Sequence, residues 1–286
     1  MKKHFLPSLT FFALAIFLIS LTAPAGAASP QPAQSKEFRK TVDFEAGGEL
    51  SLRTDKGSVR MTSWDRNQVE IIARIEPPEN VSEEYGRQAV EATKVDVLGD
   101  ARALTIRSNF DDVPYKDTFN RSRMIPNVHY EIRAPRRLNF NLDIDRSGVD
   151  LSGFEGRMNL KTDRTTMKAG DMAGELRLNM DRGELTLSGY RGRFEIDTDR
   201  TDSRLQGVQI DGDSRFEMDR GELELRMPES QGLTLSAAFS RLRDFHSDFG
   251  IASRTLSRDR IEGTINGGGP KLLLRAQRSG VSLKRQ

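Results

Sequence analysis

Apolar and polar residues alternate along much of the chain, and Asp-Arg pairs interrupt this alternation at regular intervals. Leu178 and Met180 precede Asp181 in one such stretch, and Leu185 and Leu187 follow it. Alternation with a period of two indicates strands with one buried face, and an Asp at the break is typical of a turn. Each unit is therefore predicted to be a strand, an Asp-Arg turn, a second strand and a Gly-containing corner.

These units repeat along the chain. Successive Asp residues are 18, 18, 18 and 20 positions apart, and we call the ten residues of the pairs the Asp-Arg ladder. The ladder consists of Asp145, Arg146, Asp163, Arg164, Asp181, Arg182, Asp199, Arg200, Asp219 and Arg220. One unit cannot bury its apolar stripe alone, whereas stacked units can. The sequence therefore favours an all-β, β-solenoid-like domain of 18–20-residue units. A β-sandwich, which also uses short and evenly spaced strands, is the alternative.

Two segments depart from this pattern. Residues 79–94 lack strand alternation, and Asn80 with Glu83 fits a capping box, which predicts one short helix near residues 80–93. Residues 95–108 resemble a hairpin that turns near Gly99 and Asp100. Residues 109–127 form a polar stretch that is predicted to be a long loop, and long loops are often functional or disordered.

The charges of the ladder have a structural explanation. Stacked units would place successive Asp side chains about 4.8 Å apart, at the spacing of neighbouring strands. Repulsion at that distance costs roughly 3–4 kcal/mol per pair at an effective dielectric constant near 20. An adjoining column of Arg would cancel most of that cost, and Asp also accepts backbone N–H groups in turns. The ladder is therefore interpreted as a structural turn ladder. A ladder that grips an anion or a glycan is the alternative.

The first residues are predicted to direct export. Lys2 and Lys3 precede a long apolar run, and Ala25–Ala27 fits a cleavage site, so residues 1–27 are assigned to a signal peptide. Residues 28–37 form a linker, and residues 38–286 form the β-repeat domain. No stable membrane span is expected after cleavage. The expected location is the periplasm, the cell surface or the extracellular space.

Composition narrows the possible partners. The chain has 44 Lys and Arg against 42 Asp and Glu, and the predicted signal peptide holds two of the Lys and none of the acids. The mature chain is then neutral, with 42 of each, which speaks against nucleic acid as a partner. The sequence contains no Cys, so an exported form is built without disulfides.

Candidate chemistry is sparse. His129 and His246 have no second His or Cys at metal-binding spacing, and each is interpreted as a structural His. No Gly-x-Ser-x-Gly motif is present, and neither a cofactor nor a metal is predicted. Carboxylates are abundant, however, and a carbohydrate-active β-helix enzyme, either a polysaccharide lyase or a glycosidase, remains the alternative function.

Several stretches resemble a known family. These are "GGELSLRTDKGSVRMTSWDRNQVEI" (residues 47–71), "HYEIRAP" (129–135), "RLNFNLDIDRSGVDLSGFEG" (137–156) and "GTINGGGPKLLLRAQRSGVSLK" (263–284). They look like the bacterial "putative adhesin" family, an exported β-strand-repeat domain of unknown function. The resemblance implies an envelope protein with a repetitive β fold, and it supplies no catalytic residues. The predicted function is a non-enzymatic, adhesin-like scaffold or binding surface for an envelope polymer or protein.

Overall fold

The computed structural model describes residues 35–115, 121–241 and 244–286. The predicted signal peptide, most of the predicted linker and part of the 109–127 segment therefore lie outside the described residues. The helices are α1 (Glu83–Ala92) and α2 (Arg121–Met124). The strands are β1 (Lys36–Asp43), β2 (Glu49–Thr54), β3 (Gly57–Trp64), β4 (Gln68–Glu76), β5 (Lys94–Gly99), β6 (Ala103–Asn109), β7 (Asn127–Pro135), β8 (Asn139–Asp145), β9 (Ser147–Ser152), β10 (Glu155–Gln206), β11 (Gln209–Ile210), β12 (Ser214–Met227), β13 (Leu233–Phe239), β14 (Phe245–Ser247), β15 (Ile251–Leu256), β16 (Arg260–Ile265) and β17 (Lys271–Arg285).

The described strands join into one hydrogen-bonded sheet in which two series of pairings can be followed. Series A starts at β5, β6, β2 and β8 and continues into β10, where it uses the first half of each unit, that is, the strand before the Asp-Arg pair. It then passes through the first halves of β12 and β17 and ends with β13, β16 and β15. Series B runs from β1 through β4, β7, β3 and β9 to the second half of each unit, and ends at β14. The predicted all-β class is confirmed.

Most pairings within the repeats are parallel, because each unit stacks on the preceding one. Phe140 of β8 lies beside Met158 of β10, and Ile196 of β10 lies beside Phe216 of β12. Equivalent positions of successive units are therefore neighbours in space, at the 18- or 20-residue offset found in the sequence. The inward-facing apolar side chains of both series belong to one hydrophobic cluster.

Left-handed residues bend the chain between the two series. Six Arg residues have φ between 46° and 62°, a left-handed backbone conformation that residues other than Gly, Asn and Asp rarely adopt. They are Arg146, Arg164, Arg182, Arg200, Arg220 and Arg278. A second set of left-handed residues, again one per unit, makes the opposite corner: Gly153, Asp171, Gly189 and Gly207. The Asp-Arg pairs thus lie at bends, where the sequence predicted turns.

The first helix is confirmed, but its predicted start is wrong. Asn80 has φ 58° and belongs to the preceding turn, so it cannot cap the helix. Ser82 is the N-cap instead, and its side chain accepts a hydrogen bond from the backbone N–H of Tyr85 at 3.3 Å. The predicted hairpin is confirmed, because β5 and β6 pair antiparallel around residues 100–102.

The segment predicted as a long loop contributes to the core. Phe110, Val113 and Ile125 are buried, and the Tyr85 hydroxyl lies 2.7 Å from the carbonyl oxygen of Pro114. The short helix α2, which the sequence did not predict, also lies in this segment. Tyr115, in contrast, is exposed. The described parts of residues 109–127 are therefore anchored to the domain.

Candidate functional site

The structure brings the predicted ladder residues together in a chain of shared ion pairs. Each Arg in the middle of the ladder contacts the Asp of its own unit and the Asp of the preceding unit. Arg200 Nη2 lies 2.9 Å from Asp181 Oδ1 and 2.9 Å from Asp199 Oδ2. Arg182 makes the equivalent contacts with Asp163 and Asp181, at 3.2 and 3.0 Å. The repulsion expected within the Asp column is therefore balanced along the stack by interleaved guanidinium groups.

Electrostatics within the ladder lower the pKa of two of its carboxyl groups, Asp181 and Asp219. Desolvation alone would raise the pKa of Asp181, but hydrogen bonds from Arg200 and Arg182 outweigh it and hold that pKa below its ordinary value. A hydrogen bond from Arg278 is the main cause that lowers the pKa of Asp219. Neither carboxyl is therefore prepared to donate a proton near neutral pH.

The residues that flank the Asp-Arg pairs follow a second pattern. Two units contain Thr-Asp-Arg-Thr, at 162–165 and 198–201, and two contain Met-Asp-Arg-Gly, at 180–183 and 218–221. In the Thr units the second Thr donates a hydrogen bond to the Asp carbonyl oxygen, at 3.0 Å from both Thr165 and Thr201. In one Met unit, a Cβ at Gly183 would lie 2.8 Å from Met180 Cε. In this unit the Met side chain therefore uses the space that Gly leaves, whereas a Cβ at Gly221 of the other Met unit would meet the backbone of Thr201 first.

The ladder extends further than sequence spacing indicated. Strand β2 pairs with β8 and β3 with β9, so that Thr54 lies beside Ile144 and Gly57 beside Ser147. Asp55 and Lys56 therefore occupy the same corner as the first Asp-Arg pair. Burial is the main cause that lowers the pKa of Lys56, and the charge of Arg146 lowers it further, while Glu79 raises it in part. The alternation around Asp55-Lys56-Gly57 indicates the same kind of turn from sequence alone, but not its place beside the ladder, because Lys replaces Arg and several elements separate it from the regular repeats.

A groove of about 580 Å³ crosses the outer face of series A. Two rows of outward side chains line it, and neighbouring members of each row lie on neighbouring strands. The first row consists of Thr105, Ser51, Asn141, Asn159, Arg177, Glu195 and Arg215. The second row consists of Arg107, Arg53, Asp143, Lys161, Asn179 and Asp197. Because the rows are two residues apart along each strand, they are separated by roughly 7 Å, and seven strands give a length of roughly 29 Å.

The groove contains side chains that have protein partners and side chains that have none. Asn159 Nδ2 donates to Asn141 Oδ1 at 2.8 Å, so two amides of the first row are held in a fixed orientation. Within the described part of the chain, Lys161, Asn179 and Asp197 have no side-chain hydrogen bond or ion pair. All three are exposed and follow one another in the second row. The part of the groove formed by β10 therefore offers a cation, an amide and a carboxylate that are free to bind a ligand.

A second depression, of about 590 Å³, lies on the outer face of series B and contains a triad-like arrangement. Ser58 Oγ lies 2.9 Å from His129 Nδ1, and His129 Nε2 lies 3.4 Å from Glu76 Oε2. The sequence predicted a structural role for His129 and gave no signal of these partners, which come from different strands. Ser58 lies inside a strand that pairs on both sides, with β7 and β9. The surrounding backbone N–H groups are therefore committed to the sheet and do not form an oxyanion hole.

The remaining candidates show little convergence. His246 lies 3.1 Å from Asp248, two residues away, and is far more exposed than His129. Across the described ranges, no group of three or more His, Cys, Asp or Glu side chains is arranged to hold a metal ion. Within these same ranges, no helix has the length and apolar character needed to cross a membrane.

Comparison with known proteins gives matches to solved structures alone. Neither a protein-family model nor a curated protein matches the chain. A putative cell adhesion protein from Clostridium sporogenes is 11% identical, with a TM-score of 0.33 over 88% of this chain and 100% of that one. A putative adhesin from Bacteroides fragilis is 8% identical, with a TM-score of 0.37 over 90% and 100%. A putative lipid binding protein from Parabacteroides distasonis is 9% identical, with a TM-score of 0.33 over 86% and 96%.

Proposed function

We propose that this protein is an exported, non-enzymatic envelope component that binds a linear envelope polymer along the groove of series A. Its stacked units form a β-solenoid-like scaffold, and the parallel pairing of equivalent positions supports that architecture over a β-sandwich. The basic, apolar start of the sequence supports export through a signal peptide. The periplasm and the cell surface are both compatible with this function.

The direction of the groove is the observation that carries the proposal. Its two rows run across the strands, along the direction in which the units stack, so identical backbone positions recur at each strand spacing. A polymer is the class of ligand that can use such a surface, because each of its residues meets a similar site. Free polar groups at Lys161, Asn179 and Asp197 provide contacts that the protein itself does not use.

The geometry gives less support to the enzymatic alternative. Glycoside cleavage by paired carboxyl groups needs one carboxyl with a raised pKa to act as the general acid. Within the ladder, the pKa of Asp181 and that of Asp219 are lowered instead. A binding role places no such demand on the carboxylates. Incubation of the protein with a panel of envelope glycans should therefore release no reducing ends.

Filling the groove tests the proposed function. Asn179→Trp places a large side chain in its centre, at a position that has no protein partner, and it should abolish binding to envelope polymers from cell extracts. Thr186→Trp is the matched control, since Thr186 lies in the same unit but after its Asp-Arg pair, on the outward face of series B. If both variants bind like the wild type, or if the wild type retains no envelope polymer, the proposed function is wrong.

A further inference from the structure

The two walls of the groove differ in chemistry at the end nearer β6. In the first row, the residues from β6 to the first unit of β10 carry hydroxyl or amide groups: Thr105, Ser51, Asn141 and Asn159. In the second row, the residues on the same strands carry three cations and one carboxylate: Arg107, Arg53, Asp143 and Lys161. One wall is therefore neutral and able to hydrogen-bond, and the opposite wall is cationic.

The positive charge of the second wall is available to a ligand. Lys161 has no ion-pair partner among the described residues and is exposed. Arg53 contacts Asp143 only at 3.9 Å, and both side chains are more than half exposed. Asp143 lies between Arg53 and Lys161 in the register of the strands, so two cations flank a single carboxylate. Arg107, in contrast, is held by Asp96 at 2.6 Å.

The neutral wall is organised to recognise hydroxyl groups. Asn141 Nδ2 donates to Glu49 Oε1 at 2.6 Å, and Asn141 Oδ1 accepts from Asn159. These bonds fix the amide planes, and no donor among the described residues contacts the amide oxygen of Asn159. The lining contains no aromatic side chain, so the groove lacks the stacking surface on which single-stranded nucleic acids bind.

We infer that this half of the groove binds a linear acidic polysaccharide, with its carboxylates toward Arg53 and Lys161 and its hydroxyl groups toward Asn141 and Asn159. The inference rests on the proposed function and specifies the class of polymer. Carboxylates pair well with guanidinium and ammonium groups, and amides supply both donors and acceptors for sugar hydroxyls. Exposed pairs of this kind are weakened by salt, so binding should fall as ionic strength rises.

Calorimetric titration with two matched probes tests the inference. The first probe is polygalacturonate of defined length, and the second is the same chain after reduction of its carboxylates to primary alcohols. The acidic probe should bind the purified wild-type protein more tightly than the reduced probe. Lys161→Gln and Arg53→Gln should each weaken binding of the acidic probe about fivefold, as expected for an exposed charge pair. Lys168→Gln, an exposed cation on series B, should have no effect.

The outcomes separate this inference from the proposed function. If both probes bind equally and Asn179→Trp prevents binding, a polymer does bind in the groove but the assignment of an acidic ligand is wrong. If neither probe binds, while a polymer from the extract binds the wild type but not the Asn179→Trp variant, the ligand class is again wrong. If polyphosphate binds as well as polygalacturonate and Asn159→Ala changes nothing, the groove attracts anions without recognising sugars, which also overturns the inference. If no polymer binds at all, the proposed function fails with it.

Discussion

Met180 and Gly183 share one space: the Met180 Cε lies 2.8 Å from the place where a Cβ of Gly183 would be. The same Cβ would lie 1.9 Å from the carbonyl oxygen of Thr165 in the preceding unit. A side chain at this corner would therefore collide both with its own unit and with the stack below it. The close approach to the preceding unit is shared by both Met-Asp-Arg-Gly units, because a Cβ at Gly221 would lie 2.1 Å from the carbonyl oxygen of Thr201.

Gly183→Ala should consequently destabilise the fold. Gly183 has φ 150°, and relief of the clash with Thr165 needs a backbone shift, so we expect a loss of about 3 kcal/mol in the free energy of unfolding. Gly148→Ala is the control, because nothing lies within 4 Å of a Cβ at that position and its φ is not positive. Its effect should stay within about 0.5 kcal/mol. Urea denaturation measures both, and equal effects would contradict the packing argument.

Joint replacement of Arg182 and Arg200 by Gln should lower stability most at neutral pH. These substitutions leave the Asp181 carboxylate without both of its cations, and we expect a small but measurable loss in the free energy of unfolding, since solvent screens the exposed pairs. The folded-state pKa of Asp181 is lowered, so the stabilisation is present above the unfolded pKa near 3.9 and disappears as the pH falls through the folded value. The difference between wild type and variant should therefore shrink below about pH 4.

Urea denaturation at neutral pH and near pH 3 checks this dependence, and Arg254→Gln is the control, since Arg254 is exposed outside the ladder. A loss that is equal at both pH values would show that the Arg stems, rather than their charges, stabilise the corner. Unchanged stability together with lost binding to an anionic polymer would instead restore the interpretation of the ladder as a gripping surface.

Two Thr residues of one unit should respond in opposite ways to replacement by Val. The buried hydroxyl of Thr198 has no hydrogen-bond partner, so Thr198→Val removes an unsatisfied polar group and should raise the free energy of unfolding by about 0.5–1 kcal/mol. Thr201 is equally buried, but its hydroxyl donates to the Asp199 carbonyl oxygen at 3.0 Å. Thr201→Val should lower stability by about 1 kcal/mol. Thermal melts of the pair measure the contrast, and a loss in both would indicate that an ordered water serves Thr198.

Periodicity in the sequence predicted what depends on equivalent positions. The spacing of Asp181 from Asp163 and Asp199 is enough to indicate stacking, because the strands that carry them pair at the same offset. The start of α1 could not be predicted equally well, since Asn80 and Ser82 both fit a cap and the left-handed turn at Asn80 decides between them. Local sequence does not contain that information.

The groove and the pair of Ser58 and His129 were beyond the reach of sequence for a different reason. Their members come from strands that are distant along the chain, such as Ser51 and Asn141, and they become neighbours only through parallel pairing. The turn at Lys56 is visible in the sequence, but its place beside the ladder is not, because β2 and β3 join the stack from outside the regular repeats. Sequence spacing identifies neighbours inside a repeat, whereas contacts between the repeat and its flanking strands require the structure.

The alternation of Thr and Met units gives the molecule a longer true period than its turns suggest. Along the stack, Thr162, Met180, Thr198 and Met218 follow one another at the same corner, so the smallest interchangeable block contains two units. Duplication of a two-unit block would preserve the alternation of Thr and Met at this corner. Duplication of a single unit would instead place two Met or two Thr side chains next to each other. If such a chain grows by internal duplication, units are therefore expected to be added in pairs, one Thr unit together with one Met unit.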